Sequence, residues 1–370
     1  MKDTQAFTFD HSTSFDAELR REVKAYFQRK GISTKANKWV FKKAILLLTI
    51  TIALYIIILN TNPHSGWIFS LIVLLGFCIS GIGFNIAHEV LHGTMPGKRL
   101  GRYCGYTMDL LGLSSYLWKI NHGAHHSYTN VHGLDGDIKE SALLRLSPYA
   151  AFRPLHRYQL LSAFIIYGLF YFLLIYYFNT LNLMGRNFRN GEKMKLNKRK
   201  VMEAVGFKVA YLLVWIVIPL YVMPISIGEF LLGYFLLVTV TGFSLTLVFF
   251  VAHEVEVTSF SIAPSSDTVS WAEHQLRTTV NFKAGRFLES FLGGLNYQIE
   301  HHLFPNISSA YYPALSPIVK RIAEKHGIQY KVFSSFGDAL KSHIRLLRVL
   351  SADPGRNNFS TAGSGAAGTA

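Results

Sequence analysis

Cysteine is nearly absent from this sequence. Two residues, Cys78 and Cys104, stand among 370, which excludes a disulfide framework and a metal site built on thiolates. Charge is also scarce, at 16% of residues against 50% hydrophobic, and the mean hydropathy is +0.24. An ordinary soluble domain carries about 25% charged residues, so the shortage points to a membrane protein. The first forty residues are polar and amphipathic and lack the apolar core of a cleavable signal peptide. No internal repeat is present. The segment 351–370, small and polar and ending GSGAAGTA, reads as a disordered tail.

Against that background, five runs are apolar over bilayer-spanning length: 42–60, 67–87, 159–179, 205–223 and 230–252. A sixth, 103–120, is shorter and interrupted by Asp109 and Lys119. The excess of 37 Lys+Arg over 22 Asp+Glu would suit a nucleic-acid binder, but its placement follows the positive-inside rule instead. Basic residues crowd before the first run, after the second and between 186 and 200, whereas 60–66 and 224–229 carry none. These last two turns are therefore expected outside and both termini in the cytoplasm. No nucleic-acid partner is implied.

Eight of the 15 histidines fall in four tight places. His88 and His92 stand in HEVLH after the second run, and His122, His125 and His126 in HGAHH. His253 ends the last run, and His301 and His302 close QIEHH. On a helix, residues four apart share a face, so HxxxH aims two neutral imidazoles at one metal. One zinc takes about four ligands, and eight imidazoles imply two metals. His11, His64, His156, His326 and His343 are isolated and read as ordinary core or surface histidines, with His132 outside the metal shell.

All four places must share one membrane face to form one site. Three apolar runs separate HGAHH from His253, so one of them does not cross. The run 159–179 is flanked by Arg153 and Arg157 before it and by Arg186, Arg189, Lys193 and Lys195 after it, which makes both its ends cytoplasmic. It is expected to be interfacial or re-entrant, like 103–120. The expected fold is all-α and membrane-embedded: a cytoplasmic segment 1–43, then a domain 44–350 with four spans (42–60, 67–87, 205–223, 230–252) under a histidine-bearing cap.

HEVLH also satisfies HExxH, in which two histidines bind zinc and the glutamate is a general base. LDGD at 134–137 would offer a third ligand for such an intramembrane protease, but HGAHH, His253 and QIEHH would then have no task. A redox pair such as iron suits so many neutral ligands better. A non-catalytic metal-binding or lipid-sensing protein is the remaining alternative.

The motifs HEVLH, HGAHHSYTN, AHEVE, WAEHQLRTTVNF and GGLNYQIEHHLFPNISSAYYPALSPIVK resemble the membrane fatty acid desaturases, over roughly 88–330. Within that family the chain is similar to the branch whose third box begins with glutamine, which includes the front-end enzymes. The resemblance implies a cytoplasmic di-iron centre, O2 as co-substrate and an acyl chain, on CoA or a glycerolipid, held in an apolar tunnel. The ligands it implies are His88, His92, His122, His125, His126, His253, His301 and His302, with Gln298 where other branches carry histidine. His274, Asp135 and Asp137 would orient ligands. The chain has no HPGG haem motif, so electrons are expected from a separate ferredoxin or cytochrome b5-type donor. The location implied is a bacterial inner membrane, or the endoplasmic reticulum in a eukaryote. Hydroxylation on the same centre is the alternative within this chemistry.

Overall fold

A computed structural model describes residues 9–10, 13–184, 188–189, 192–193, 196–262 and 270–353. His11 and the tail from 354 onward lie outside the described residues. In chain order the helices are α1 (Ser14–Lys30), α2 (Lys38–Asn60), α3 (Ile68–Leu91), α4 (Lys98–Leu110), α5 (Ser115–Ser127), α6 (Pro154–Leu183) and α7 (Lys198–Val222). They continue with α8 (Ile227–His253), α9 (Trp271–Thr278), α10 (Arg286–Leu292), α11 (Gln298–Leu303), α12 (Tyr312–Lys325) and α13 (Phe336–Leu350). Sheet among the described residues is limited to two-residue pairs, such as Val131–His132 beside Ser261–Ile262 and Asn281–Phe282 beside Val332–Phe333.

Helix starts follow local chemistry. The Asn37 side chain accepts from the backbone N–H of Trp39 at 3.0 Å and starts α2, and Ser226 with Glu229 forms a reciprocal capping box at the head of α8. Among the described residues five helices, α2, α3, α6, α7 and α8, are long and apolar enough to cross a membrane. The four expected spans are among them, and the fifth is α6, the run expected to be interfacial.

Far from lying flat across the others, α6 packs lengthwise on α8. The two backbones approach so closely that a Cβ on Gly242 would stand 2.5 Å from the Gly168 carbonyl. The segment 103–120 differs from expectation in form. It divides into α4 and α5, which meet in a tight turn where Gly112 has φ +86° and a Cβ would stand 2.9 Å from the Tyr211 ring. That tip reaches the apolar helices, since the Tyr171 hydroxyl donates to the Leu111 carbonyl at 2.5 Å.

Among the described residues three apolar helices contain a π-helical turn: Gly83–Ala87 in α3, Leu174–Phe178 in α6 and Leu213–Val217 in α7. A π turn frees a backbone carbonyl that must find a donor where no water is present. In α6 the Ile175 carbonyl accepts from Lys208 Nζ, and in α7 the Val214 carbonyl accepts from the Tyr55 hydroxyl. The α3 turn ends at Ala87, one residue before His88. The remaining helices form the cap, where α1 packs on α12 and α9 around Phe15, Leu19, Leu276, Ile299 and Val319.

Candidate metal centre

The eight histidines of the four motifs converge at the junction of cap and apolar helices. His88 and His92 come from the end of α3, His122, His125 and His126 from α5, His253 from the last residue of α8, and His301 and His302 from α11. Two donor sets result. In one, ring nitrogens of His88, His92, His122 and His301 lie within 4.8 Å of one another; in the other, those of His125, His253 and His302 do. His126 stands between them, with its Nε2 3.2 Å from His122 Nε2 and its ring 4.2 Å from that of His302.

The separations have a chemical meaning. His92 and His122 bring their Nε2 atoms to 3.0 Å, and His88 and His301 to 3.2 Å. Two imidazoles bound at about 2.0–2.1 Å to one ion, roughly at right angles, would have their nitrogens about 3 Å apart. Burial holds His122, His126, His301 and His302 well below the ordinary imidazole value and takes His92 to about 2. These rings are neutral and available as ligands. His302 Nε2 is buried with no protein partner among the described residues, and an unsatisfied buried acceptor of this kind fits a bound cation.

A surrounding shell fixes ring orientation. His125 Nδ1 lies 3.0 Å from Asp135 and 3.2 Å from Asp137. Burial opposes charge on His125, but the two carboxylates outweigh it and raise the group to about 10. The His301 Nδ1 faces the Tyr312 hydroxyl at 3.4 Å, and the His253 Nδ1 faces the Thr278 carbonyl at 3.4 Å. Gln298 lies beside His253. His274 is buried outside both donor sets, and its Nε2 donates to the Thr129 carbonyl at 2.8 Å.

The isolated histidines have other partners. His64 pairs with Glu229, His132 with Glu140, His326 with Glu18, and His156 donates to the Ser141 carbonyl. His343 bridges the Tyr167 hydroxyl and the Glu254 carbonyl.

The glutamate of HEVLH decides the protease alternative. Glu89 accepts from the Ser309 backbone N–H at 2.8 Å and from the hydroxyls of Ser309 and Thr94. It fastens the loop after α11 to α3, and its carboxylate has no place as a general base. Spacing alone could not reveal this, because HExxH is satisfied either way. The sequence reading also passed over Gln275, whose Oε1 meets His302 Nδ1 at 2.9 Å. Its only signal was its place beside His274 in WAEHQ.

An apolar pocket opens from His88 between α3, α8 and the α4–α5 turn, lined by Ile79, Gly83, Met108, Trp118, Tyr171 and Phe249. From His88 to Ile79 the wall spans nine residues of helix, about 13 Å at 1.5 Å per residue. Metal donors at one end of a narrow apolar slot are suited to an alkyl substrate.

Comparison with known proteins agrees with this arrangement. The family model "Fatty acid desaturase" matches residues 65–334. An "sn-1 linoleoyl-lipid 6-desaturase" from Arthrospira platensis is 32% identical over 95% of this chain and 96% of its own length. A protein of the same name from Synechocystis sp. is 29% identical over 95% and 99%, and an "Acyl-lipid (8-3)-desaturase" from Physcomitrium patens is 28% identical over 94% and 74%. Neither the hydroxylase nor the protease reading finds support among these relatives. With eight imidazoles gathered at the head of an apolar slot and the family model covering most of its length, the chain belongs to the fatty acid desaturases, a family of oxidoreductases of lipid metabolism.

Proposed function

We propose that the protein is an O2-dependent acyl-lipid desaturase of front-end regiochemistry, using two irons and electrons from a separate protein. The carrying observation is the pair of donor sets at the mouth of the apolar pocket. In this reading His88, His92, His122 and His301 hold one iron, His125, His253 and His302 the other, and His126 stands between them. Gln298 faces the second set, and Asp135, Asp137 and His274 support it from outside.

When bound, the iron pair supplies the oxidising power that acid–base groups lack. The chain's own residues do the rest. Ile79, Met108 and Phe249 exclude water and align an alkyl chain, and its depth past His88 sets which carbons are presented. Removing two hydrogens from adjacent methylenes yields two electrons, whereas reducing O2 to two waters takes four, so two must come from outside. The basic cytoplasmic surface suits an acidic ferredoxin or cytochrome b5-type donor. The names of the relatives support a glycerolipid-bound acyl chain and a double bond inserted on the carboxyl side of an existing one. Both termini and the cap are assigned to the cytoplasmic face, of the inner membrane in a bacterium.

Expression in a host of simple lipid composition tests the reading. Products two mass units lighter, with the new double bond on the carboxyl side of an old one, are expected, together with two irons per purified chain. A gain of sixteen mass units, or one zinc per chain, would overturn it. His125→Ala and His301→Ala should each abolish turnover in protein that still folds.

A further inference from the structure

Gln275 lies in α9, fully buried, between the two metal-binding segments that meet at the second donor set. Its Nε2 donates to the His126 carbonyl at 3.2 Å, and its Oε1 lies 2.9 Å from His302 Nδ1. Thr129 closes the arrangement. Its Oγ is 3.1 Å from His302 Nδ1 and donates to the His125 carbonyl at 2.8 Å.

Only one orientation of this amide satisfies every partner. The His126 carbonyl is in the last turn of α5, where the helix leaves its carbonyls without donors, and a carbonyl can only accept. The NH2 of Gln275 must therefore face His126, which turns Oε1 toward His302. An oxygen there requires the proton of His302 to be on Nδ1. Nε2 is then a bare lone pair, and Nε2 is the atom found buried with no protein partner.

We propose that Gln275 is a positioning residue that ties the tautomer of His302 to the helix carrying His125 and His126, so that His302 is presented to the second iron through Nε2. The inference rests on the di-iron reading above. It also explains how ligands far apart in sequence are set as a unit: the backbone of one histidine motif selects the proton position on another.

The test uses the full chain purified with its iron. Gln275→Leu removes donor and acceptor at similar size, Gln275→Glu keeps the acceptor, and Leu276→Ala, a fully buried neighbour in the apolar core of α9, loosens the same helix without touching a ligand. Iron release to a chelator and melting temperature are followed for each. Q275L should release one of its two irons about 10–100-fold faster than wild type while the other is unchanged. Q275E, which keeps the acceptor for His302 but loses the donor to the His126 carbonyl, should release that iron at a rate between those of Q275L and wild type, and L276A should lower the melting temperature without separating the two releases. The proposal is overturned if Q275L keeps both irons at the wild-type rate, if it loses both together as L276A would, or if Q275E, with the acceptor intact, releases that iron as fast as Q275L. A wild-type protein without two irons would instead strike at the di-iron reading itself.

Discussion

At the scale of single residues, the convergence of the eight histidines was legible because boxes of one side chain at helical spacing present it on one face. What the spacing could not carry was hydrogen bonding to distant parts of the chain. Glu89 is the clearest case, since its partners Ser309 and Thr94 lie 220 and 5 residues away. Because this carboxylate is a fastener, Glu89→Gln should leave iron content at two per chain and lower thermal stability by about 1–3 kcal/mol; complete loss of turnover in a fully loaded, equally stable variant would contradict that role. His343 offers a pH test. Burial lowers it to about 4 from an ordinary 6.5, and the neutral ring joins Tyr167 to the Glu254 carbonyl. The folded state thus binds its proton later than the unfolded chain as pH falls. The stabilisation is whole above pH 6.5 and is lost as pH drops toward 4, up to about 3 kcal/mol in total. His343→Gln should lose that share of the slope, at roughly 1.4 kcal/mol per pH unit, in denaturant titrations run from pH 7 to 4.5.

At the scale of elements, hydropathy located every apolar helix, because a membrane helix must satisfy its own backbone and therefore reads as an unbroken apolar run. It was silent on where those helices deviate. The split of 103–120 at Gly112 and the three π turns leave no apolar signature, since a π turn changes hydrogen-bond register and not composition. Their partners are equally unmarked: Lys208 reads as a stray charge and Tyr55 as an ordinary aromatic, though each donates to a freed carbonyl. Lys208→Met and Tyr55→Phe should each destabilise the protein by about 1–3 kcal/mol through an orphaned carbonyl, measurable as a lowered melting temperature in detergent. If the turns relax to regular α-helix instead, both substitutions will be nearly neutral. The α6–α8 contact is similarly a matter of backbone proximity, and a Gly242→Val side chain would be driven into the Gly168 carbonyl.

For the whole molecule, the question is how five apolar helices serve one site. The rings of His125 and His253 are 4.7 Å apart, although α6, α7 and α8 all lie between them in the chain. Both ends of that stretch are therefore at one face, and an even number of the three helices crosses. The link of 223–226 between α7 and α8 is too short to return across a bilayer, and we propose that those two cross as a hairpin with their joint outside. On that reading α6 would be the one of the three that does not complete a crossing. One contact agrees: Asn197 at the head of α7 donates its backbone N–H to the Tyr116 hydroxyl on α5, the helix that carries HGAHH. Charge placement in the sequence points the same way, although a helix lying flat at the interface is at odds with the Gly168–Gly242 approach. Single cysteines in a background lacking Cys78 and Cys104 test the arrangement in intact cells with an impermeant thiol reagent. Labelling from outside is expected at Asn62 and at Ile225 only, whereas Arg153, Lys198 and Asp353 should react only after the cells are opened. External labelling at Lys198 would make α6 a true span, and His253 could then not reach the face where HGAHH stands.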